Sequence, residues 1–333
     1  MKRALALLLL LLLPLSGCGG GDFSAFAPGE AERLVIYTSH KEEVYGPIVK
    51  EFQQRTGIWV EVVTGGSGEL LERIAVEAEA PACDLMFGGG VESLAAYEQY
   101  FEPCTPAGVE YLRRVGRSDE GLWTPFSCLP LVLVYNTRLV SEGELTGWAD
   151  LLDPRWKGRI AFADPTVSGS SYTAALTLFS CIEGDDWDIL AALAANLDGG
   201  ALSDSGDVVE SVRSGSRYIG VTLEETALKQ RSPEVGIVYP AEGTSAVPDG
   251  CALIKGARHP ENARAFLDFV LGRDVQELLV SGLSRRSVRT DVHAPQDLPS
   301  EAELGIIDYD VHWAGGLKEE FSARWAALTE AAA

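Results

Sequence analysis

Apolar and polar positions along the chain follow one repeated order: a short apolar run, a polar loop, and then a longer segment with helical spacing. Residues 34–37 form the first apolar run, and residues 41–55 then place Val44, Ile48 and Phe52 on one face of a helix. Two further units of the same order occupy residues 59–79 and residues 84–100. This repetition predicts a parallel sheet with helices on its faces, which is an α/β fold.

The rest of the chain continues the theme in a second block. An apolar strand at residues 129–136 is predicted to cross into a second lobe, and a strand at residues 252–254 to return from it. Further strands are predicted at residues 159–163, 218–222 and 235–239, and helices at residues 148–153, 172–179, 187–197, 260–271, 275–279 and 318–330. A chain of 333 residues has room for two lobes of about 150 residues each. We therefore predict one lobe from residues 32–128 and 247–333, and a second from residues 129–246.

The first residues predict export. A basic start precedes an apolar run at residues 4–15, which is typical of a secretory signal and too short for a spanning helix of about 20 residues. Leu-Ser-Gly-Cys, ending at Cys18, resembles the bacterial lipobox, in which the cysteine is acylated. We predict a signal peptide at residues 1–17, a lipid on Cys18, a flexible tether at residues 18–31, and an extracytoplasmic location on the cell membrane. The alternative is an ordinary signal peptide with an incidental cysteine.

Charge narrows the possible partners. The net charge of −22 argues against nucleic acid, whose binding requires a basic surface. The same charge makes the long-range field unfavourable to an anionic ligand. An anion site must therefore be local, built from backbone N–H groups and a few arginines.

Five cysteines remain besides Cys18, and none has the close spacing of a zinc site. They are Cys83, Cys104, Cys128, Cys181 and Cys251. Export permits disulfides, but the pairing cannot be deduced from the sequence. We expect one or two bridges together with buried thiols.

Small hydroxyl residues occupy three loops between a predicted strand and the start of a helix. The loops contain Thr38, Ser39 and His40; Ser67 and Gly68; and Ser168, Gly169 and Ser170. Helix N-termini present free N–H groups and the positive end of a dipole, so each loop is a candidate anion contact. Taken singly, each is equally explained as a helix N-cap. Three such loops at the carboxyl ends of strands predict a ligand site, because open α/β sheets bind ligands at that edge.

Four segments resemble bacterial ABC-importer substrate-binding proteins, in the class that contains ferric-ion, phosphonate and sugar-phosphate binders. The most specific is residues 148–160, which carry the family's W-x-D-L-x-x-P-x-W-K-G-K-I pattern with Arg159 in place of its last lysine. Residues 34–57 resemble its first strand and helix, residues 84–90 its strand-and-glycine step, and residues 255–269 a later helix. The resemblance implies two α/β lobes of the type II periplasmic-binding class, with the ligand in a cleft between them.

The resemblance also adds candidate site residues. It implies that Asp204 and Ser205 lie in a loop that contacts ligand hydroxyls. It also implies that Thr222 ends the strand before the position of the paired tyrosines in ferric binders, and that Glu224 lies at that position. A carboxylate such as Glu224 suits sugar hydroxyls or an amine; the alternative is a surface carboxylate. The segment that contains Arg285 and Arg286 returns to the cleft in the family. Arginine is well shaped for a phosphate, although either residue can instead pair with a carboxylate.

The resemblance and the residues that depart from it lead to expectations about the ligand and the function. The tyrosines of the ferric binders are absent after residues 218–222, and guanidinium repels a trivalent cation, so we predict a phosphorylated organic solute or a phosphonate. A ferric-ion binder with another ligand set is the alternative. A secreted hydrolase is a third possibility, but neither a G-x-S-x-G elbow nor an H-E-x-x-H motif occurs. We predict a monomer that is not an enzyme, with no cofactor, no metal site, no nucleic-acid partner, and an ABC permease as its partner.

Overall fold

The computed structural model describes residues 28–114, 116–198, 200–295 and 297–332. The predicted signal peptide, the lipid on Cys18 and most of the predicted tether lie outside the described residues. None of the helices in the described ranges is long and apolar enough to cross a membrane.

The described residues form ten strands. They are β1 (Arg33–Thr38), β2 (Trp59–Thr64), β3 (Leu85–Gly90), β4 (Thr124–Cys128), β5 (Leu131–Asn136), β6 (Ile160–Ala161), β7 (Ile219–Leu223), β8 (Val235–Val238), β9 (Pro248–Leu253) and β10 (Arg286–Ser287). They belong to two sheets, with the strand orders β10-β4-β9-β3-β1-β2 and β6-β7-β5-β8.

The same ranges hold eleven α-helices. They are α1 (Glu42–Thr56), α2 (Ser67–Val76), α3 (Val91–Ala95), α4 (Gly169–Cys181), α5 (Asp186–Leu197), α6 (Val208–Arg213), α7 (Glu224–Lys229), α8 (Pro260–Val270), α9 (Arg273–Leu283), α10 (Glu301–Leu304) and α11 (Val311–Ala332). Short 3-10 turns at Trp148–Leu152 and Pro154–Trp156 replace the predicted helix at residues 148–153.

In the first sheet, β1 pairs in parallel with β2 and β3, as the strand-loop-helix pattern predicts. The carboxyl ends of these three strands therefore meet at one edge, from which α1, α2 and α3 begin. The remaining pairings are antiparallel, between β3 and β9, β9 and β4, and β4 and β10. The sheet is therefore mixed, with three parallel strands and three strands that join it by antiparallel pairing.

The second sheet is built around β5, which pairs antiparallel with β7 and β8, while β6 pairs in parallel with β7. The predicted strand at residues 129–136 is β5, which begins two residues later than predicted. β4 ends at Cys128 in the first sheet, and β5 begins at Leu131 in the second. Pro130, which has no N–H to donate to a ladder, lies in this two-residue link. The predicted lobe boundaries at residues 129 and 246 coincide with the change of sheet but stay a prediction.

The long C-terminal helix α11 packs on elements of both sheets. It contacts α3 beside the first sheet and α5 beside the second. Its Phe321 and Trp325 are buried, and the ring of Tyr172 on α4 meets Phe321 edge to face at 5.0 Å. The apolar core is therefore continuous across both sheets.

The family-like segment at residues 148–160 has a structural role. Trp148 and Trp156 are buried, and the Trp148 indole N–H donates to the carbonyl of Gly243 at 2.8 Å. The side chain of Asn196 donates to the carbonyls of Leu151 and Asp153. The segment thus fixes the turns before β6 and does not reach the cleft.

The expected disulfides are wrong. The five cysteines within the described ranges are all free thiols, four of them buried and Cys181 half-buried. Burial raises the pKa of Cys128 to about 12 and that of Cys181 to about 11. These side chains act as small apolar groups of the core.

Candidate functional site

A cleft of about 480 Å³ lies where the carboxyl ends of β1, β2 and β3 face loops that follow strands of the second sheet. Most of its lining residues are glycines and small hydroxyl residues. From the first-sheet side come Ser39, His40, Gly66, Ser67, Gly89, Gly90, Glu92, Asp249 and Arg285; from the second come Val167, Ser168, Gly169, Ser170, Thr173, Ser203, Asp204, Ser205 and Leu223; Leu129 and Val247 lie in the links between the sheets.

Two helices direct their N-termini at this cleft. The N-cap of α2 is Gly66, which has no side chain to satisfy the first N–H groups of the helix. The N-cap of α4 is Ser168, whose Oγ accepts from Ser171 N and lies 3.1 Å from the Oγ of Ser170. Unsatisfied N–H groups and the positive dipole ends of two helices make this wall of the cleft favourable to an oxyanion.

The turn after β1 is shaped by buried hydrogen bonds. Thr38 donates its hydroxyl to the carbonyl of Phe87 at 2.6 Å and accepts from His40 N at 3.1 Å. Gly88 lies opposite with a φ of 108°, and a Cβ at this position would lie 2.8 Å from Ser39 Oγ. A glycine is therefore required for β3 to approach this turn.

His40 is a buried, neutral imidazole at the edge of the cleft. Burial first, and then the charge of Arg285, lower the pKa of His40 well below 6.5. Its Nε2 lies 3.5 Å from Asp249 Oδ2 and has no hydrogen-bond partner among the described residues. The ring packs edge to face on Phe87 at 4.7 Å. His40 therefore presents a polar atom without bringing a charge.

Arg285 is the guanidinium of the cleft lining, and it is held by carboxylates. Its Nη1 lies 2.5 Å from Asp249 Oδ2 and 3.1 Å from Ser127 Oγ, and its Nη2 lies 3.0 Å from Glu225 Oε2. Ser127 in turn donates through its N–H and its hydroxyl to Asp249 Oδ1. Burial lowers the pKa of Arg285, but Asp249 and Glu225 outweigh that effect and raise it, so the residue is a fixed cation.

Glu92 brings a carboxylate to the same cleft. Its Oε1 accepts from the hydroxyl of Thr173 at 2.9 Å, and its Oε2 has no partner among the described residues. Burial raises the pKa of Glu92 above 4.5. Glu92 and Asp204 together give the cleft acceptors suited to the hydroxyl or amine groups of a ligand.

Eight of the thirteen predicted ligand contacts line this cleft: Ser39, His40, Ser67, Ser168, Gly169, Ser170, Ser205 and Arg285. The other five do not. Gly68 follows Ser67 in the first turn of α2, Thr38 is buried beneath the turn it stabilises, and Thr222 is buried within β7. Glu224 and Arg286 pair with each other away from the cleft, at 2.6 Å between Oε2 and Nε.

Glu92, Thr173 and Asp249 are among the cleft-lining residues that were not predicted. Glu92 lies in the first turn of α3 and Thr173 in the second turn of α4, where the sequence shows only ordinary helix positions. Asp249 lies inside β9, where a carboxylate is unusual. The place of Asp249 within a strand was therefore the one sign in the sequence that its carboxylate has a buried partner.

The family model described as bacterial extracellular solute-binding protein matches residues 80–312. The chain is 28% identical to a putative 2-aminoethylphosphonate-binding periplasmic protein of Salmonella typhimurium, over 84% of this chain and 86% of that protein. It is also 28% identical to iron uptake protein A1 of Synechocystis sp., over 80% of this chain and 79% of that protein.

Among solved structures, the chain is similar to the periplasmic binding protein AfuA of Actinobacillus pleuropneumoniae, solved with fructose 6-phosphate bound. The TM-score is 0.80 and the sequence identity 25%, with 90% of this chain and 98% of that chain covered. The likeness thus includes both sheets.

Proposed function

This chain belongs to the family of bacterial extracellular solute-binding proteins, and we propose that it captures a small phosphorylated organic solute or a phosphonate in the cleft. Proteins of this family bind small ligands and deliver them to the permease of an ABC transporter; they are not enzymes. The α/β fold of type II periplasmic binding proteins, predicted from the resemblance, is confirmed.

The observation that carries the ligand proposal is the convergence of α2 and α4. Both helices begin at the cleft, and Ser67, Ser168 and Ser170 line the cleft where the two helices start. Such an arrangement binds an oxyanion through short-range contacts. It does so in a chain whose net charge of −22 offers no long-range attraction.

The carboxylates of the cleft support an organic ligand over inorganic phosphate. Glu92 and Asp204 would accept hydrogen bonds from hydroxyl or ammonium groups, and an ionised carboxylate at either position would repel a bare anion. Two similar proteins agree with a ligand that carries both an oxyanion and a hydroxyl or amine group. One is named for 2-aminoethylphosphonate, and AfuA was solved with a sugar phosphate.

Ferric ion is the second candidate, because one relative is an iron uptake protein. The side chains that line the cleft suit ferric ion less well than they suit a phosphorylated ligand. No tyrosine lines the cleft, and within the described ranges no three His, Cys, Asp or Glu side chains lie close enough together to hold a metal ion. The fixed cation of Arg285 also opposes a trivalent cation.

The mode of attachment is part of the proposal. We infer a lipid on Cys18, a location outside the cytoplasmic membrane, and a monomer of two lobes divided near residues 129 and 246. The lipobox-like residues 15–18 support the anchor, and the change of sheet between Cys128 and Leu131 supports the division. Replacement of Cys18 by Ser should release soluble protein or leave the precursor unprocessed, and an unchanged mature form that is fully extracted with the membrane would disprove the anchor.

Native mass spectrometry of protein purified without refolding tests the ligand class, since a binder of this kind can retain its solute. Calorimetry should then detect binding of fructose 6-phosphate or 2-aminoethylphosphonate at 0.15 M salt or below, and no binding of fructose or ethylamine. Tight binding of ferric citrate with a visible charge-transfer band, and of neither phosphorus compound, would overturn the proposal in favour of iron.

A further inference from the structure

Glu92 is a buried carboxylate of the cleft lining whose two oxygens have different surroundings. The residue is 1% exposed, and its Oε1 accepts a hydrogen bond from the hydroxyl of Thr173 on α4 at 2.9 Å. Its Oε2 is buried and has no partner among the described residues. Such atoms are rare, because the desolvation of a charged group is costly unless a hydrogen bond compensates it. The free oxygen is therefore available to a ligand atom that reaches it.

The glycines before α3 bring this carboxylate close to the start of α2. Gly90 is the N-cap of α3 and lines the cleft, and a Cβ added at Gly90 would overlap both carboxylate oxygens of Glu92. The carboxylate thus occupies the space that a side chain at Gly90 would fill. A Cβ added at Gly89 would lie 3.3 Å from the Cβ of Ser67, in the first turn of α2. The carboxylate and the start of α2 therefore belong to the same wall of the cleft.

The hydrogen bond from Thr173 also fixes the distance of the carboxylate from the start of α4. Thr173 follows Gly169 by four residues, or about 6 Å along the helix. Its hydroxyl lies 3.0 Å from the carbonyl oxygen of Gly169 as well as 2.9 Å from Glu92 Oε1. The carboxylate is therefore held about one helical turn from the N-terminus of α4. One solute can reach both places if a short organic chain or one sugar ring joins its oxyanion to a hydrogen-bond donor.

Lys318 on α11 leaves the free oxygen of Glu92 without a donor. Its ammonium group donates to the hydroxyl of Ser93 at 3.3 Å. Burial raises the pKa of Glu92, and the charge of Lys318 lowers that pKa by a smaller amount. Burial also lowers the pKa of Lys318 itself. A second cation that reached Oε2 would favour the ionised form of Glu92 and supply the hydrogen bond that this oxygen lacks.

Asp204 also lines the cleft, but in a different environment. It is exposed, and its Oδ1 accepts from Gly206 N at 2.8 Å. The attraction of an exposed carboxylate for a cation is weakened by water and salt. Glu92 is buried, where the lower dielectric strengthens a hydrogen bond between two charged groups. Glu92 is therefore the carboxylate better placed to distinguish an ammonium group from a hydroxyl group.

We propose that Glu92 determines specificity by accepting a hydrogen bond from an ammonium group, so that the solute is a zwitterion with its oxyanion at the starts of α2 and α4 and its amine at Glu92. The inference rests on the proposed function, because it assumes that the oxyanion binds at those helices. It narrows the ligand to aminoalkyl phosphonates, amino-sugar phosphates and compounds of the same charge pattern. A phosphate ester that offers only hydroxyl groups to Glu92 binds more weakly.

Matched ligand pairs that differ in the amine test this assignment by calorimetry at pH 7. 2-Aminoethylphosphonate is compared with ethylphosphonate, and glucosamine 6-phosphate with glucose 6-phosphate, so the two pairs also differ in the distance from phosphorus to nitrogen. In the parent protein the amine of at least one pair should raise affinity about ten- to hundredfold, which is the effect of one charge-assisted hydrogen bond.

Glu92→Gln should remove this preference. The amide oxygen stays with Thr173, and the NH₂ group at the free position cannot accept from an ammonium group, so the ratio should fall to about threefold or less. The amine-free compounds should bind as tightly as before or more tightly, because the variant has one negative charge fewer in the cleft. Their retained binding separates the loss of preference from damage to the fold.

Glu72→Gln is the matched control. Glu72 is exposed on α2 and acts on Lys318 by its charge, as Glu92 does, but it does not line the cleft. The amine preference should be unchanged in this variant. An equal preference in the parent protein and in Glu92→Gln would overturn the role of Glu92. If the parent binds the amine-free compounds as tightly as their amine counterparts, the zwitterion fails and the proposed function stands; if none of the four compounds binds, both fail.

Discussion

The hydroxyl of Thr173 on α4 donates a hydrogen bond to Glu92 Oε1 on α3 at 2.9 Å. The bond joins a helix beside the second sheet to a helix beside the first, and both residues line the cleft. The other oxygen of Glu92 is buried without a partner among the described residues. The carboxyl group is therefore held in place but poorly compensated when it is charged.

Glu92 should make the protein less stable as pH rises. Burial raises its folded-state pKa above 4.5, so the native protein holds this proton more tightly than the unfolded chain does. Stability is then lost as pH rises from about 4.5 through the folded-state pKa. Glu92→Gln keeps an acceptor for Thr173 but cannot ionise, so its advantage over the parent in thermal unfolding should grow between pH 4 and pH 7.

Lys318→Met is the companion variant. Lys318 lies near enough to lower the pKa of Glu92 by its charge, although burial is the larger effect. Removing this cation should make the decline of stability with pH steeper. Equal slopes in the parent protein and in Glu92→Gln would contradict the assignment.

Gly88→Ala should damage the turn that carries Ser39 and His40. The backbone of Gly88 has a φ of 108°, and a Cβ there would lie 2.8 Å from Ser39 Oγ and 3.1 Å from His40 Nε2. A strained non-glycine residue costs about 1–3 kcal/mol, so we expect a loss of that size in denaturant unfolding, together with weaker binding of a phosphorylated probe.

Gly68→Ala is the control for this substitution. No atom lies within 4 Å of a Cβ added at Gly68, and the residue belongs to the first turn of α2 with its N–H retained in the variant. We expect unchanged or slightly higher stability, by up to about 1 kcal/mol. Equal losses in both variants would show that Gly88 has no special role.

The sequence predicted those features that depend on local pattern. The apolar spacing of Val44, Ile48 and Phe52 places α1, and Gly57 ends it in the left-handed conformation. The three serine-rich loops were located because each joins a strand to a helix. The start of β5 at Leu131, two residues later than predicted, also has a local cause in Pro130, which has no N–H to donate.

Contacts between distant residues were not predictable. Glu224 was expected near the ligand, but it begins α7 and pairs with Arg286, 62 residues later in the chain. Asp249 was missed because its role comes from Arg285 and Ser127 in other parts of the chain. The same limit explains the wrong expectation for the cysteines, since pairing depends on distances that composition does not contain.

Thiol titration checks the cysteine assignment. The Cys18→Ser protein should show five thiols with Ellman's reagent in guanidinium without reductant, one for each free cysteine. In native protein at pH 8 these thiols should react slowly, because burial raises the pKa values of Cys128 and Cys181 to about 12 and 11. A count of three or one in guanidinium would establish one or two disulfides.

Arg286→Met should be the most destabilising of these substitutions. It leaves Glu224, whose side chain is 1% exposed, without its bidentate partner and with only Tyr239 and water as donors. Removing one member of a buried pair costs about 3–5 kcal/mol, because the remaining charge stays buried without compensation. The loss should appear in denaturant unfolding at neutral pH.

The double variant Arg286→Met with Glu224→Gln separates the two parts of that loss. It removes the stranded charge, while the amide oxygen introduced by Glu224→Gln can still accept from Tyr239, so most of the stability should return. Arg273→Met serves as the control, because it removes an exposed arginine that pairs within its own helix, and it should leave unfolding unchanged. If the double variant is as unstable as Arg286→Met alone, the damage comes from lost packing of the arginine side chain and not from the stranded charge of Glu224.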